Sequence, residues 1–338
     1  MLKKTLWLLM AICIVLFGFW GWDKLFAPPA PIKQTQFLMD TIIEITAYGD
    51  NAALAENQAF TEVQRLHKIF DRFDKNSEVS LINSNAAIKP VIVSKDLILC
   101  IKRSAELSAK LDNAFDLTIG PLTELWGIGH KVDFVPSASQ ISQLLPLVDY
   151  REIVIDEQQL TVFLKKKAMK LDFGGVAKGY ACDRIIDILK NNGITSALVN
   201  AGGDVRVIGN RVDGKPWRIG IQDPRRPEKM LGSLALEGWD TMETSGDYQR
   251  YIEVNGIRYS HILDPKTGEQ PRALTAVTVI GGNSLDCDIL STALYIVGVK
   301  SGKKLLKQFP GVEAVFSTKD GQVILTDGLN GKFQPERE

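Results

Sequence analysis

Cysteine and histidine are scarce in this chain, with four and three among 338 residues. Cys13 lies in an apolar run, and Cys100, Cys182 and Cys287 are odd in number and widely spaced. They form neither a disulfide framework nor a zinc site, and Cys182 and Cys287 read as small buried hydrophobes in helical patterns. No charge of one sign is in excess, since 40 Lys and Arg balance 40 Asp and Glu. With no long basic run either, a nucleic-acid partner is not expected. There is no internal repeat and no low-complexity segment. The glycine-rich stretch "MKLDFGGVAKGY" (169–180) is neither G-x-G-x-x-G nor G-x-x-x-x-G-K-[ST], although it has the layout of a loop that holds an anion at a helix N-terminus. What remains is ordinary globular composition, 45% hydrophobic and 24% charged, long enough for one large or two ordinary domains.

The exception is the N-terminus. Lys3 and Lys4 precede an uncharged, mostly apolar run from Thr5 to Trp22, which as a helix at ~1.5 Å per residue would span about 27 Å, near the hydrocarbon thickness. Two lysines before the run against Lys24 just after it favour a cytoplasmic N-terminus, with the rest of the chain on the outer face. Trp20, Trp22 and Phe26 would form an interfacial aromatic cluster. No clear A-x-A site follows, so residues 1–26 are read as a retained membrane anchor, with a cleaved signal peptide as the alternative. Ile12 precedes Cys13 where a lipidated cysteine expects a small residue, which excludes lipidation there. "APPAPIKQTQ" (27–36) reads as an extended linker, and 37–338 as one domain. The expected location is the inner membrane, facing the periplasm.

Val63, Leu66, Phe70 and Phe73 recur at helical spacing. Ile98, Ile101, Ala105 and Ser108 mark a second helix with Ser94 as its N-cap. "TIIEITAY", Glu152–Ile155 and Thr161–Leu164 are strand candidates, and a helix is expected from about Val176 to Lys190. Asn255-Gly256 between two alternating runs signals a type I′ hairpin. Helices over Ser284–Val297 and Ser301–Phe309 and a closing hairpin, "VEAVFSTKDGQVILT", complete the pattern. Strands and helices do not alternate strictly, which favours α+β over a doubly wound sheet.

Four stretches could carry chemistry. On a helix, Asp288 and Thr292 project from one face; carboxylate and hydroxyl are hard ligands that suit Mg²⁺, though the pair alone reads more readily as capping or surface decoration. Asp286 reads as a charge favourable to the helix dipole. His261, at the end of a hairpin strand, is a candidate general base, with a structural histidine as the alternative; His67 and His130 look less site-like. Phe115 and Asp116 could stack on and hydrogen-bond to an aromatic ligand, or form a core aromatic beside a helix cap. "NAGGDV" is a tight glycine turn joining two strands that could bring backbone close to a ligand, with a β-turn of no functional role as the default reading.

In order, "MDTIIEI", "FDRFDKNSEVSLIN", "AFDLTIGPLTELWGIG", "LDFGGVAKGYACD", "NAGGDV", "ETSGDYQRYIEVNGIRYSHILDP" and "DILSTALYIVG" resemble the landmarks of the ApbE family, the FAD:protein FMN transferases. The resemblance implies a single α+β (T-fold-like) domain in a membrane-attached, outward-facing enzyme that binds FAD and Mg²⁺. Such an enzyme transfers FMN to a threonine or serine of a partner flavoprotein, an Nqr- or Rnf-type subunit, and releases AMP. It further implies FAD-site roles for Met39, Phe73, Ala114, Phe115, Asp116, Asp172, Lys178 and Ile262. Metal binding is implied for the Gly175 carbonyl, Asp288 and Thr292. The chain departs from the family in places. Phe73 stands where some members have tyrosine, Gly175 where others have alanine or threonine, and Lys178 where some have glutamate. A lipid-attachment cysteine is missing.

On this reading His261, beside Ile262, is the base that activates the acceptor hydroxyl. Two alternatives stand beside it. One is a Mg²⁺-dependent FAD pyrophosphatase yielding FMN and AMP; the other is a non-catalytic, membrane-tethered flavin-binding protein.

Overall fold

The computed structural model describes residues 30–129 and 134–336. The expected anchor (1–26) and His130 lie outside the described residues. Among the described residues, no helix is long and apolar enough to cross a membrane.

The chain opens with strands β1 (Ile32–Leu38) and β2 (Thr41–Tyr48), helices α1 (Ala52–Phe70) and α2 (Glu78–Ser84), and strand β3 (Val91–Ile92). Helices α3 (Lys95–Lys110), α4 (Gly120–Leu125) and α5 (Ala138–Leu144) follow. Next come β4 (Ile153–Asp156), β5 (Thr161–Leu164), α6 (Ala177–Asn191), β6 (Ser196–Ala201) and β7 (Asp204–Ile208). Strands β8 (Arg218–Gln222), β9 (Met230–Ala235), β10 (Thr241–Gly246), β11 (Tyr251–Val254), β12 (Ile257–Ser260) and β13 (Leu274–Gly281) then run without an intervening α-helix. The chain closes with α7 (Ser284–Leu306), β14 (Glu313–Thr318), β15 (Val323–Leu325) and β16 (Gln334–Pro335).

The centre is an eight-stranded sheet in the order β1-β2-β6-β7-β10-β13-β14-β15, antiparallel throughout. Period-two alternation sets its faces: Ile43, Ile45 and Ala47 of β2 are buried while Ile42 points to solvent. Helices α1 and α6 pack on the inward face with Phe60, Val63, Ile185 and Leu189, and α7 extends that layer with Leu290, Leu294 and Tyr295. The small sheet β16-β9-β8 covers the opposite face through Leu234, Val205, Val207 and Ile280. Each such side chain fully removed from water contributes about 1.5–3 kcal/mol. This is an α+β domain with a mixed two-faced core, as the strand and helix pattern implies.

The linker reading shortens. β1 pairs with β2 from Ile32 onward, so Ile32–Gln36 belong to the sheet rather than to an extended spacer. Phe73 also moves: α1 stops at Phe70, with Asp71 in extended conformation, which leaves Phe73 outside the helix and 49% exposed. The other elements fall close to expectation. Ser94 caps α3 by accepting from Leu97 N. Asn255 and Gly256 take φ of 53° and 73° as the tip of β11–β12, the left-handed pair a type I′ turn needs. The two expected C-terminal helices meet at Gly298, whose φ of 74° breaks α7 into two segments.

Two local features fix where the site forms. The start of α7 is capped by Asn283, which accepts from Asp286 N, and by Asp183, whose carboxylate accepts from Ser284 N and Leu285 N. Asp286 itself pairs with Arg103 of α3 at 2.5 Å, a contact its reading as a dipole charge did not include. Gly179 of α6 crosses α7 so closely that a Cβ there would lie 2.5 Å from Ser284 O and 2.8 Å from Asp288 Cβ. The last glycine of "MKLDFGGVAKGY" is therefore the point where two helices touch, directly behind Asp288.

Candidate active site

A cleft of about 530 Å³ opens where the β1–β2 turn, the end of α1, the 172–175 loop, the β10–β11 connection and α7 converge. Its volume falls within the ~300–1,000 Å³ usual for small-molecule sites. Met39, Phe73, Phe115, Asp116, Asp172, Gly175, Lys178, His261, Ile262, Asp288 and Thr292 all line it. Ala114 does not: it is buried in the core beneath Phe115. Met39 and its neighbour Asp40 adopt φ of 53° and 57°. Two successive non-glycine residues in the left-handed region mark a turn held by its surroundings.

At the inner end stand Asp288 and Thr292 on one face of α7. Gly179 N donates to Asp288 Oδ2 at 3.1 Å. Thr292 Oγ1 is 3.2 Å from Ser245 Oγ, which lies 2.8 Å from Ser291 Oγ. The 172–175 loop presses on the same point, for a Cβ on Gly175 would meet Thr292 Oγ1 at 3.0 Å and Phe115 Cε2 at 3.3 Å. One carboxylate, one hydroxyl and the backbone of Gly175 thus converge. Among the described residues no group of three or more His, Cys, Asp or Glu is arranged to hold a metal, so any cation here would rest on this mixed oxygen set.

Behind these oxygens lies a buried charged network. Lys178 forms an ion pair with Asp204, whose other oxygen accepts from Thr244 N at 3.0 Å. Glu243 is fully buried, with one oxygen accepting from Thr241 Oγ1 at 3.0 Å and the other without a hydrogen-bond partner. Burial pushes the Asp288 carboxyl up to about 6, against the pull of Lys178. Burial and the nearby Asp204 and Asp288 raise Glu243 well above the carboxylate range. Burial works against the Lys178 ammonium, but Asp204, Asp288 and Glu243 outweigh it and hold its pKa above the ordinary lysine value. Excess negative charge with one internal cation is an environment in which a further cation gains electrostatic energy.

The outer half is shaped by Asp172 and His261. Asp172 Oδ1 accepts from Gly174 N at 2.9 Å, and Oδ2 accepts from Thr123 Oγ1 at 2.8 Å. Asp116 is largely engaged by its own turn: Oδ1 accepts from Thr118 N and Thr118 Oγ1, and Oδ2 from Tyr150 N. Its carboxyl is pushed up by burial. Half-buried His261 has Nδ1 3.0 Å from Arg250 O. Since a carbonyl only accepts, Nδ1 carries the proton and Nε2 is left as the basic atom. Burial, with the charges of Arg250 and Lys178, lowers its pKa to about 4, so the imidazole is neutral at physiological pH.

Residues 39–316 match the ApbE family. The chain belongs to the ApbE family. It is 37% identical over 300 residues to an FAD:protein FMN transferase of Klebsiella pneumoniae, covering 88% of this chain and 92% of the relative. Its fold matches the crystal structure of the ApbE protein of Thermotoga maritima with TM-score 0.83 and 32% identity, covering 91% of this chain and all of the other. The apo flavinyl transferase ApbE of Pseudomonas stutzeri gives TM-score 0.81 at 31% identity, covering 92% of this chain and 99% of the other. Flavin transfer from FAD to protein is the activity of this enzyme, and the reading as a non-catalytic binding protein is set aside.

Several residues of this ApbE enzyme's cleft were not foreseen. His67 lines it after all, with Arg72, Thr123, Gly202, Ser245 and Arg250. "NAGGDV" is the predicted tight turn, with Gly202 at φ 68°, and it reaches the site, as the alternative to a turn of no functional role allowed: Gly202 forms part of the wall, and Asp204, not foreseen, pairs with Lys178. The signal was there, an acidic residue directly after a glycine turn, but its lysine partner lies 26 residues earlier in the chain.

Proposed function

We propose that the cleft binds FAD and Mg²⁺ and transfers the FMN half to a threonine or serine hydroxyl of a partner flavoprotein, an Nqr- or Rnf-type subunit, with release of AMP. The observation that carries the metal assignment is the convergence of Asp288, Thr292 and the Gly175 backbone in front of a buried, acid-rich network. The donor set is hard oxygen throughout, which fits Mg²⁺. Asp288, Thr292 and the Gly175 carbonyl would hold it. Once bound, it would neutralise pyrophosphate charge and polarise the phosphoryl oxygen.

The chain's own groups account for the rest. Phe73, half-exposed with the Arg72 guanidinium 4.7 Å from its ring centroid, offers an aromatic face to the flavin, with Met39, Phe115 and Ile262 as apolar walls. Asp172, accepting from Thr123 and Gly174, faces the flavin's hydrogen-bonding edge. Ser245 fixes the Thr292 hydroxyl. Lys178 keeps a permanent positive charge beside the phosphates while balancing Asp204. His261 takes the acceptor hydroxyl's proton at Nε2; the pyrophosphate's negative charge raises its basicity from the low value of the free protein. The apolar run Thr5–Trp22 behind Lys3 and Lys4 supports an anchored enzyme facing the periplasm.

Incubating the full chain with FAD, Mg²⁺ and a candidate acceptor subunit tests the reaction. The reading predicts an FMN-sized mass on one acceptor threonine or serine, with AMP formed one for one. AMP with free FMN and an unmodified acceptor would establish the pyrophosphatase instead.

A further inference from the structure

Arg72 was not among the residues expected at the site. Its side chain is 16% exposed, yet it touches three separate segments of the cleft wall. Nη1 donates to Thr123 Oγ1 at 2.8 Å and lies 3.1 Å from Asp172 Oδ2. Nη2 donates to Ile128 O at 2.5 Å. The guanidinium carbon sits 4.7 Å from the Phe73 ring centroid. Thr123 closes a triangle by donating to the same Asp172 oxygen at 2.8 Å. At the tip of the ring, Gly129 (φ 92°) passes so close that a Cβ would fall 2.6 Å from Phe73 Cζ and 3.5 Å from Arg72 Nη2.

We propose that Arg72 is a positioning residue for FAD: it locks the Asp172 carboxylate and the Phe73 ring in one relative orientation, and FAD affinity depends on it through Asp172. This rests on the reading of Asp172 as a flavin contact. The planar fork reaches Thr123, Asp172 and the Ile128 carbonyl at once while stacking on the ring; a lysine ammonium, as a point donor, cannot satisfy all of them. Without the fork, the Asp172 carboxylate keeps only Thr123 and Gly174 and is free to turn toward an anionic substrate.

FAD affinity of the full chain, measured by flavin fluorescence titration in EDTA so that no turnover occurs, decides the matter. Arg72→Met is expected to weaken FAD binding about tenfold, the scale of one charge-assisted hydrogen bond. Asp172→Ala should weaken it at least as much, and the double variant no further than Asp172→Ala alone, because both changes act on one contact. Arg72→Lys, which keeps the charge but not the fork, should lose about threefold or more at a thermal midpoint checked against wild type. Multiplying effects in the cycle, or unchanged affinity in Arg72→Lys or a folded Arg72→Met, would overturn the proposal and leave Arg72 a structural residue. Unchanged affinity in Asp172→Ala would remove the underlying flavin contact, and the proposal with it.

Discussion

At the scale of single residues, the site is a set of charges held out of water. His261 is the clearest case of an assignment refined by its surroundings. Its position at a strand end was legible, but its tautomer and low basicity depend on Arg250 O, 11 residues away, and on burial. The His261 ring in the free protein is expected to titrate near pH 4 by NMR. A midpoint near the ordinary 6.5 would contradict the half-buried, carbonyl-bound geometry. His261→Ala should slow transfer by about 10²–10⁴, the usual range for a general base; wild-type turnover would remove it from the mechanism. Lys178 is a different kind of residue. Lys178→Met would leave Asp204 and Asp288 buried beside each other without their cation. The expected cost is about 3–5 kcal/mol of unfolding free energy in urea, and a change below about 1 kcal/mol would show that the network is solvated.

At the scale of elements, the site depends on how α6 and α7 meet. The helical spacing of Asp288 and Thr292 could be read directly from the sequence, because i and i+4 share a helix face. What faces them could not be read from spacing: Gly175 was placed there only by the family resemblance, and Gly179 and Ser245, from elements more than 40 residues away in the chain, were not placed at all. The same limit explains Phe73. Its spacing fitted the pattern of α1, but Asp71 ends the helix in extended conformation, and the ring is left at the cleft mouth. Gly179→Ala should be costly, because its Cβ would meet the Ser284 carbonyl and Asp288 Cβ. We expect a loss of about 1–3 kcal/mol from overpacking together with lower activity. Gly174→Ala, where the nearest atom is Asp172 Oδ1 at 3.2 Å, should be much milder. Equal effects would argue against a tight α6–α7 crossing.

At the scale of the whole molecule, the α+β class and the single domain were legible because "TIIEITAY", the type I′ signal and the long C-terminal helices each carry strong local patterning. The strand order was not legible in full, since β2-β6, β7-β10 and β10-β13 pair across long connections that no local signal encodes. Nor was the buried Glu56 of α1, which sits under the sheet with neither oxygen hydrogen-bonded. Burial raises its pKa to about 7 from the ordinary 4.5, against a smaller opposing pull from the Ala47 backbone. The folded state therefore binds more protons than the unfolded state between these values. Stability from this group is present below about pH 4.5 and declines as pH rises through about 7. Glu56→Gln should flatten that decline, with a gain on the order of 1–3 kcal/mol at pH 8 relative to wild type. Parallel stability–pH curves for the two proteins would mean that Glu56 is solvated in the native state.

The central claim is that this cleft, through Asp288, performs the transfer. The most direct measurement is the rate at which covalent flavin appears on the acceptor subunit, followed by intact mass with FAD and Mg²⁺, for wild type and Asp288→Ala. The account predicts a loss of at least about 100-fold in the variant, the scale on which removing one electrostatic stabiliser of a transition state acts, and a matching loss for wild type in EDTA. Flavin transfer by Asp288→Ala at the wild-type rate would contradict it.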